Sequence, residues 1–465
     1  MATETRPSLS TFIDWIRTNN SHAAHQLRLL AEAEPILDGR QHVAEDRRQA
    51  LSVRLEQWRY QLLDEHIGRL THRARQLADA LDLAANQLAG RGPRLPRWPR
   101  GAVDDAISET AETAEARAGL SGDVDLERLA RQATEVTLRH FGTSASIGGS
   151  QKRARRMLLY APLYLSSHCV NHCAYCGFRS PLDIERKHLT CEEALDEAEI
   201  LRGRGFRRIL LVAGDMPRLT TTAYFAEIIR ELVARGISPS IEIAPQSTAS
   251  YAELVDAGAC AITLYQETYN EELYALYHPR GSKASFDWRL EGLERAAEAG
   301  IGRLGLGVLL GLADPREDLL AMIRHACYLQ ARFPQRTLAF SLPRIYEAPP
   351  DFQTPYPVDD ETFVRLYCVL RLAFPRAELV LSTREPARLR NRLAQICITQ
   401  ISAGSRTIPG GYGDPDAGRI SGRQFPISDH RSPDEVAEWL RANGFELAWD
   451  VCPSVRRSAP RSAGC

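Results

Sequence analysis

Residues 160–180 read YAPLYLSSHCVNHCAYCGFRS, an apolar run that leads directly into three cysteines. The apolar part has the composition of a buried strand, and Cys169, Cys173 and Cys176 follow it in a short loop. Three thiolates in so short a loop can converge on one iron–sulfur cluster. They leave one iron of a four-iron cluster open, and an open position separates a reactive metal centre from a structural one. The spacing therefore predicts a reactive cluster at the end of a strand.

Two other interpretations of the cysteines stay open at the level of the sequence. A structural zinc ion could take His168 or His172 as its fourth ligand, although such sites usually have a second ligand pair downstream and none is evident. The protein would then be a zinc-stabilised assembly factor without enzymatic activity. The cysteines could also be ordinary buried thiols.

The chain from Met157 onward alternates short apolar runs with longer helical patterns, which is typical of repeated βα units. Helical patterns cover Cys191–Arg204, Tyr224–Arg235, Arg289–Ala299, Leu319–Phe333 and Glu361–Phe374. Eight strands are predicted, at Leu158–Leu165, Arg208–Val212, Ser240–Ile243, Ala261–Leu264, Arg303–Leu309, Thr337–Ser341, Glu378–Leu381 and Thr399–Ser402. We therefore predict an α/β fold, a (βα)8 TIM-type barrel with its chemistry at the carboxyl ends of the strands. An open doubly wound sheet is the alternative, since periodicity alone does not distinguish the two.

The part of the chain before the barrel is predicted to be a helical extension. Apolar residues recur at helical spacing from Leu9 to about Leu88, for example at Leu51, Leu55, Trp58, Leu62 and Leu63, and we expect a packing or partner surface there. The prolines of Arg91–Arg100 predict a linker, Asp123–Phe141 a helix and Gly142–Ser150 a loop. The predicted domains are residues 1–90, a linker and helical lead-in at 91–156, the barrel at 157–410, and a C-terminal helix with a disordered tail at 411–465.

Composition narrows the class of protein. The net charge of −1 gives no reason to expect nucleic acid or an anionic membrane as a partner. No run approaches the roughly 20 apolar residues of a spanning helix, and Met1–Ser10 is polar, so we expect a cytoplasmic protein. In that compartment the ten cysteines are expected to be thiols rather than disulfides.

Several motifs along the barrel resemble the aromatic amino acid lyases of the radical S-adenosylmethionine (SAM) superfamily. This family includes the 2-iminoacetate synthases of thiamine biosynthesis and the tyrosine lyases of [FeFe]-hydrogenase maturation. The resemblance spans about Met157 to Trp449. Besides the cysteine stretch, the matching motifs are LLVAGD (210–215), YQETY (265–269), FDWRL (286–290), GLGVLLGL (305–312), LSTREP (381–386) and QISAGSRTIPGGY (400–412).

The resemblance implies a [4Fe-4S] cluster on the three cysteines and S-adenosyl-L-methionine as cofactor. Tyr175 is the aromatic residue that precedes the third cysteine in this motif. By resemblance Gly214 and Asp215 would contact the cofactor's amino group, although relatives usually have Glu at the second position. The implied contacts to the ribose and carboxylate are Glu267 and Arg289, and those to the adenine are Gly305 and Gly307.

The substrate site is also implied by resemblance. Arg384 matches the arginine that holds the amino acid carboxylate, for which a planar guanidinium is suited. Ser402 and Ser405 are candidates to assist it. The alternative for Arg384 is an ordinary ion pair with Glu385 or Asp359.

Two departures from the family bear on the reaction. Tyr346 stands where relatives carry a cation, which predicts a different side-chain preference or a modified substrate. The maturases have a C-terminal cysteine motif for a second cluster, whereas only Cys452 and Cys465 occur here. We therefore predict a one-cluster lyase that cleaves the Cα–Cβ bond of an aromatic amino acid, foremost tyrosine, to 2-iminoacetate and p-cresol for the thiamine thiazole.

The alternatives within the enzyme class are a lyase or rearranging enzyme of secondary metabolism and a hydrogenase maturase. The expected partners are an electron donor such as flavodoxin or ferredoxin and a thiazole synthase that accepts the product.

Overall fold

The structure is a computed structural model that describes residues 24–37, 39–65, 81, 84–85, 88–89, 111–121, 124–147, 150–414 and 422–449. The strands are β1 (Gly142–Ile147), β2 (Ser150–Ser166), β3 (Arg208–Ala213), β4 (Ser238–Glu242), β5 (Ala261–Thr263), β6 (Arg303–Gly307), β7 (Thr337–Ser341), β8 (Glu378–Leu381), β9 (Gln400–Ser402) and β10 (Phe445–Ala448).

The described helices before the barrel are α1 (Ala24–Leu37), α2 (Glu45–Glu65), α3 (Ala111–Leu120) and α4 (Leu126–Phe141). Those within and after it are α5 (Cys191–Gly203), α6 (Thr222–Ala234), α7 (Thr248–Ala257), α8 (Glu271–Tyr277), α9 (Phe286–Leu290), α10 (Gly292–Glu298), α11 (Pro315–Arg332), α12 (Asp360–Ala373), α13 (Ala387–Ile396) and α14 (Pro433–Ala442).

The predicted (βα)8 barrel is confirmed. Strands β2 to β9 pair in parallel in sequence order, and β9 closes the barrel by pairing with β2 in the register Leu158 to Gln400. The strands are apolar because the sheet is buried on both faces. In β6, for instance, all five residues are buried. Closure excludes the open doubly wound sheet.

The floor of the barrel is plugged by polar side chains. Arg303, which begins β6, donates from Nε to Glu378 Oε2 at 2.5 Å and from Nη2 to Gln400 Oε1 at 3.0 Å. These residues begin their strands, so the plug lies at the amino ends. The opposite end, where the strands finish, is left for the site.

The predicted loop at Gly142–Ser150 is wrong over Gly142–Ile147, which form β1. The first half of β2 extends beyond the barrel, so its backbone groups need partners outside the barrel on both sides. Antiparallel β1 pairs with one edge, from Gly142 opposite Arg155, and parallel β10 pairs with the other, from Phe445 opposite Arg155. Strand β2 therefore begins at Ser150 rather than Leu158, because backbone pairing outweighs the local Gly/Ser content. The predicted domain boundaries stay a prediction.

The N-terminal helices pack onto the barrel. The predicted helix through Leu51, Leu55 and Trp58 is confirmed as α2. An apolar cluster joins α1 and α2 with Trp288 of α9, which is 1% exposed. Ala24–Leu37 (α1) and residues 81, 84–85 and 88 are helical too, as predicted. The remainder of the predicted N-terminal helix pattern, the linker Arg91–Arg100 and the tail Ser454–Cys465 lie outside the described residues. Within the described chain, no helix is long and apolar enough to cross a membrane.

Candidate active site

The three cysteines line one open cleft of about 690 Å³ at the carboxyl ends of the strands. Backbone hydrogen bonds fix their loop: Val170 N donates to Asp215 O at 2.8 Å, and Ala174 N donates to Tyr277 O at 2.9 Å. All three are free thiols.

Gly214 sets how closely the cysteine loop lies on the end of β3. A Cβ atom at this position would overlap the carbonyl oxygen of His168 and come within 3.2 Å of Cys169 Cβ. Any larger residue would therefore push the loop away from the barrel. This structural requirement is independent of the cofactor contact predicted for Gly214.

The donor set suits a cluster better than a single ion. Among the described residues, no group of three His, Cys, Asp or Glu side chains could hold one metal ion. A zinc ion needs its ligand atoms gathered at about 2.0–2.3 Å from one point, whereas each thiolate of a cluster takes a different iron. Burial raises the pKa of Cys169 to about 11 and also raises the pKa values of Cys173 and Cys176. A bound metal centre would lower these pKa values again, since it binds the cysteines as thiolates.

Asp215 lies beside the cysteine loop, as its predicted cofactor role requires. Its carboxylate accepts hydrogen bonds from Asn171 Nδ2 at 3.2 Å and from the Ser282 hydroxyl. Asn171 Oδ1 in turn accepts from Lys283 N at 2.9 Å. The side chain thus belongs to a polar network that ties the cysteine loop to the segment after α8.

Glu267 is held in a strained backbone conformation at the rim of the cleft. Its φ of 72° is the one positive value among the described non-glycine residues. Such a conformation costs about 1–3 kcal/mol and often marks a functional position. Glu267 Oε1 accepts from Lys283 Nζ at 2.5 Å and from Arg289 Nη2 at 3.3 Å. Burial alone would raise the pKa of Glu267, but these two cations outweigh it and lower that pKa.

Arg289 is therefore paired with Glu267, and its Nε donates to Tyr265 O at 2.6 Å. Both residues line the cleft. The pairing places them together at the predicted cofactor position. Their contacts to the ribose and carboxylate of the cofactor stay predictions.

Tyr175 packs behind the cysteine loop. Its hydroxyl is 2.8 Å from Nε2 of His278, and its ring meets Phe352 edge to face. Tyr175 is not among the cleft-lining residues. Its most evident role is to support the loop, and a cofactor contact stays a prediction.

The two glycines of β6 make room inside the barrel. A Cβ atom on Gly307 would overlap the ring of Tyr265, and one on Gly305 would lie 2.9 Å from Thr263 Oγ1. Packing against β5 explains both glycines without an adenine. The predicted adenine contacts stay predictions.

Arg384 makes no hydrogen bond or ion pair through its guanidinium within the described chain; it stacks 3.3 Å from the centroid of the Phe425 ring. Glu385 pairs instead with Arg344 Nη2 at 2.5 Å. Asp359 caps α12 by accepting from Thr362 N at 2.7 Å. The alternative ion pair of Arg384 with Glu385 or Asp359 is thus wrong, because both carboxylates are engaged elsewhere. The unpaired guanidinium acts electrostatically on Cys176 and Glu242, which line the cleft.

Ser402 ends β9, and Ser405 lies three residues further along the chain. Ser402 Oγ accepts from Thr383 N at 3.1 Å. The Ser405 hydroxyl is buried with no partner among the described residues. Neither serine is among the residues that line the cleft, so their role in substrate binding stays a prediction.

Tyr346 lies outside the cleft and is 50% exposed. Its hydroxyl bonds Glu385 Oε2 at 2.5 Å and the guanidinium of Arg344. The substitution therefore completes a surface network on the barrel rim. The prediction that Tyr346 changes the side-chain preference of the pocket gains no support from this placement.

The cleft residues that the sequence analysis did not single out include Asn171, Ser282, Lys283 and Glu242. Lys283 carried a signal, because the chain contains only three lysines and Lys283 follows the YQETY motif closely. Glu242, which ends β4, carried no such signal in the sequence, since a single carboxylate at the end of an apolar run is common.

The barrel, with three thiols and a charged network at its mouth, defines a class of enzyme. A family model described as Radical SAM superfamily matches residues 163–326, and one described as Biotin and Thiamin Synthesis associated domain matches residues 341–446. The chain is a radical SAM enzyme, and the predicted cofactors, a [4Fe-4S] cluster and S-adenosyl-L-methionine, are those of this superfamily.

Within the superfamily, the chain belongs to the family of aromatic amino acid lyases that contains 2-iminoacetate synthase. It is 36% identical to the 2-iminoacetate synthase of Escherichia coli K12 over 327 residues, which are 70% of this chain and 82% of that enzyme. The structure of the FeFe-hydrogenase maturase HydG from Carboxydothermus hydrogenoformans matches with a TM-score of 0.65 and 32% identity, over 90% of this chain and 87% of HydG.

A more distant match shares the fold alone. The crystal structure of methylornithine synthase is 22% identical with a TM-score of 0.55, over 72% of this chain and 94% of that protein. The barrel fold is thus shared with methylornithine synthase, and the similarity to the lyases is closer in sequence.

Proposed function

We propose that this protein is a radical SAM lyase that cleaves the Cα–Cβ bond of tyrosine to 2-iminoacetate and p-cresol. The observation that carries the proposal is the guanidinium of Arg384, which follows the end of β8 and makes no ion pair within the described chain. Arg384 is not among the residues that line the cleft, but its charge lowers the pKa of Cys176, which does line it. An unpaired arginine at that position suits the carboxylate of an amino acid. The similarity to 2-iminoacetate synthase supports the reaction.

The residues of the chain divide the work. Cys169, Cys173 and Cys176 would hold the cluster. Asp215 and the Glu267–Arg289 pair lie where the polar groups of the cofactor would be held. When bound, the cluster and cofactor supply a 5'-deoxyadenosyl radical that removes a hydrogen atom from the substrate.

Arg384 orients the substrate through its carboxylate, and Ser402 and Ser405 remain the candidates to assist it. The barrel wall shields the fragments from water. Together 2-iminoacetate and p-cresol have the composition of tyrosine. Because the removed hydrogen atom leaves with 5'-deoxyadenosine, the cresol fragment takes up one electron and one proton. A low-potential reductant, such as reduced flavodoxin or ferredoxin, supplies this electron and the one that cleaves the cofactor.

The pathway follows from the product. 2-Iminoacetate is an imine that water hydrolyses, so an enzyme that consumes it should accept it directly. We propose that a thiazole synthase of thiamine biosynthesis is this partner.

Anaerobic incubation of the reconstituted protein with cofactor, reductant and tyrosine tests the proposal. We expect 5'-deoxyadenosine, p-cresol and glyoxylate, the hydrolysis product of 2-iminoacetate, by mass spectrometry. Production of 5'-deoxyadenosine with another amino acid but not with tyrosine would overturn the substrate assignment.

The cluster assignment has its own control. Cys173→Ala should lose iron and all 5'-deoxyadenosine, whereas Cys191→Ala, a partly exposed cysteine at the start of α5, should keep both. Equal iron content in the two variants contradicts the assignment.

A further inference from the structure

Glu242 is a cleft carboxylate that the functions assigned above leave unexplained. It ends β4 and lines the cleft. Within the described chain, its carboxylate makes no hydrogen bond and no ion pair, although burial raises its pKa to about 7 against the opposing charge of Arg384. Part of its surface is open to the cleft. A carboxylate that opens into the cleft and has no hydrogen-bond partner in the described chain is available to accept a hydrogen bond from a ligand.

Glu242 and Arg384 lie on opposite walls of the barrel. The barrel order runs from β2 to β9 and closes on β2, so β4 and β8 are four strands apart in either direction. Arg384 follows the end of β8 by three residues. Its charge is the largest that acts on Glu242, yet the two groups form no ion pair. Two groups of opposite charge, neither with an ion-pair partner in the described chain, thus lie on opposite sides of the barrel at the carboxyl ends of its strands.

The wall beside Glu242 is largely apolar or aromatic. Val212 at the end of β3 and Tyr265 after β5 line the same cleft, and Val212 is paired with Glu242 in the sheet. A ligand that bridges the two walls needs an anionic end for Arg384, an apolar body, and a hydrogen-bond donor at its far end. The amino group of an amino acid adjoins its carboxylate and stays at the Arg384 wall. Only the tip of the side chain reaches the opposite one.

We propose that Glu242 accepts a hydrogen bond from the phenolic hydroxyl of the substrate and thereby selects tyrosine over phenylalanine. The inference rests on the proposed function, because it takes the carboxylate of the amino acid to lie at Arg384. A phenylalanine side chain would displace water from Glu242 and leave the carboxylate without a partner. A site built to hydrogen-bond a hydroxyl rejects the analogue that lacks it by up to about 10⁴–10⁵-fold, because its polar group is left unpaired.

Equilibrium binding tests the proposal without turnover. Tyrosine and phenylalanine are titrated anaerobically into the reconstituted, SAM-loaded protein without reductant, for the parent, Glu242→Gln, Glu242→Leu and Glu253→Gln. Glu253 is an exposed residue of α7 and serves as the matched control. Iron content and melting temperature, compared with the control, establish that each variant is folded and loaded.

The parent should bind tyrosine at least roughly 100-fold more tightly than phenylalanine. Glu242→Leu should reduce this affinity ratio at least tenfold, because it weakens the binding of tyrosine and strengthens the binding of phenylalanine. Glu242→Gln retains an acceptor oxygen and should keep part of the preference, and the control should keep all of it.

An unchanged tyrosine-to-phenylalanine ratio in Glu242→Leu would overturn the inference while leaving the proposed function intact. Loss of SAM affinity in both Glu242 variants with the ratio preserved overturns it too, since Glu242 would then serve the cofactor. If the parent binds no tyrosine, both the inference and the proposed function fail.

Discussion

Arg344 and Arg384 illustrate how two arginines at neighbouring strand ends come to differ. Arg344 is 4% exposed and is surrounded by acceptors, among them Glu385 and Asp360 at 2.5 and 2.8 Å from Nη2. Arg384 has an aromatic ring beneath it and no carboxylate. Stacking fixes the plane of a guanidinium while leaving its N–H groups free to donate. The first arginine stabilises the rim of the barrel, and the second is left for a ligand.

Replacing Arg384 by lysine should weaken tyrosine binding by roughly 10- to 100-fold, because a charge remains but the two parallel hydrogen bonds to a carboxylate are lost. Titration of the SAM-loaded protein with tyrosine measures the effect. Arg388→Lys, at an exposed position of α13, is the matched control. Equal affinity in the two variants would argue against a carboxylate contact at Arg384.

The pH dependence of tyrosine binding should report on Glu242. The pKa of Glu242 is raised to about 7 by burial, with Arg384, Arg289 and Lys283 opposing the rise and Glu267 adding to it. The charged carboxylate is the stronger acceptor, so tyrosine affinity should increase as the pH rises through about 7 and level off above it. Glu242→Gln should remove this increment, which is measured as the difference between the two binding profiles from pH 6 to 8.5. Parallel profiles contradict the expectation.

At the scale of elements, β6 and β5 fit together only because β6 is glycine-rich. The overlap that a Cβ atom on Gly307 would create involves the Tyr265 ring and the Ser341 carbonyl oxygen, so it cannot be relieved on either side of the strand. The carbonyl oxygen of Tyr265 also accepts a hydrogen bond from Arg289 Nε. The position of Arg289 at the cleft therefore depends on a packing contact within the sheet.

Gly307→Ala should lower stability by about 1–3 kcal/mol through overpacking. Gly302→Ala is the matched control just before β6, because a Cβ atom there would meet only Cys260 O, at an ordinary 3.5 Å. Thermal melting of the two variants under anaerobic conditions measures the difference. A melting temperature for Gly307→Ala equal to that of Gly302→Ala would show that the sheet adapts to the extra methyl group.

The same elements show what could be predicted from the sequence. The eight barrel strands could be predicted, since each is a short apolar run between helical patterns. The first half of β2, with β1 and β10, could not be predicted. Gly142–Ile147 have the Gly/Ser content of a loop although they pair with β2, and the pairing of β2 with β10 joins segments almost 300 residues apart, such as Arg155 with Phe445. Lys283 meets Glu267 only because the chain folds back through α8 and the short 3₁₀ turn Ser282–Ala284, and no local pattern encodes that return.

At the scale of the whole molecule, the N-terminal helices extend the support of the cofactor site. Glu56 of α2 is 1% exposed, and its Oε1 accepts from Thr248 N at 3.1 Å and from Thr248 Oγ1 at 2.9 Å. Thr248 begins α7, where a carboxylate satisfies a free N–H group and interacts favourably with the helix dipole. The apolar cluster of α1 and α2 also covers Trp288, the residue before Arg289. The N-terminal helices are thus joined to the barrel at two points near the cleft.

Replacing Glu56 by alanine should loosen this junction, because the partly buried N–H and hydroxyl groups of Thr248 lose an acceptor, at a cost of about 0.5–1.5 kcal/mol for each hydrogen bond. Hydrogen exchange followed by mass spectrometry should show faster exchange in peptides from residues 24–65 and at the start of α7, while β3 to β9 stay protected. Through Trp288 the change should reach Arg289 and weaken SAM binding several-fold. Glu45→Ala, at an exposed position of the same helix, is the control and should alter neither. Faster exchange with unchanged SAM affinity would mean that the helices stabilise the barrel without supporting its site, and unchanged exchange would mean that Trp288 alone holds them in place.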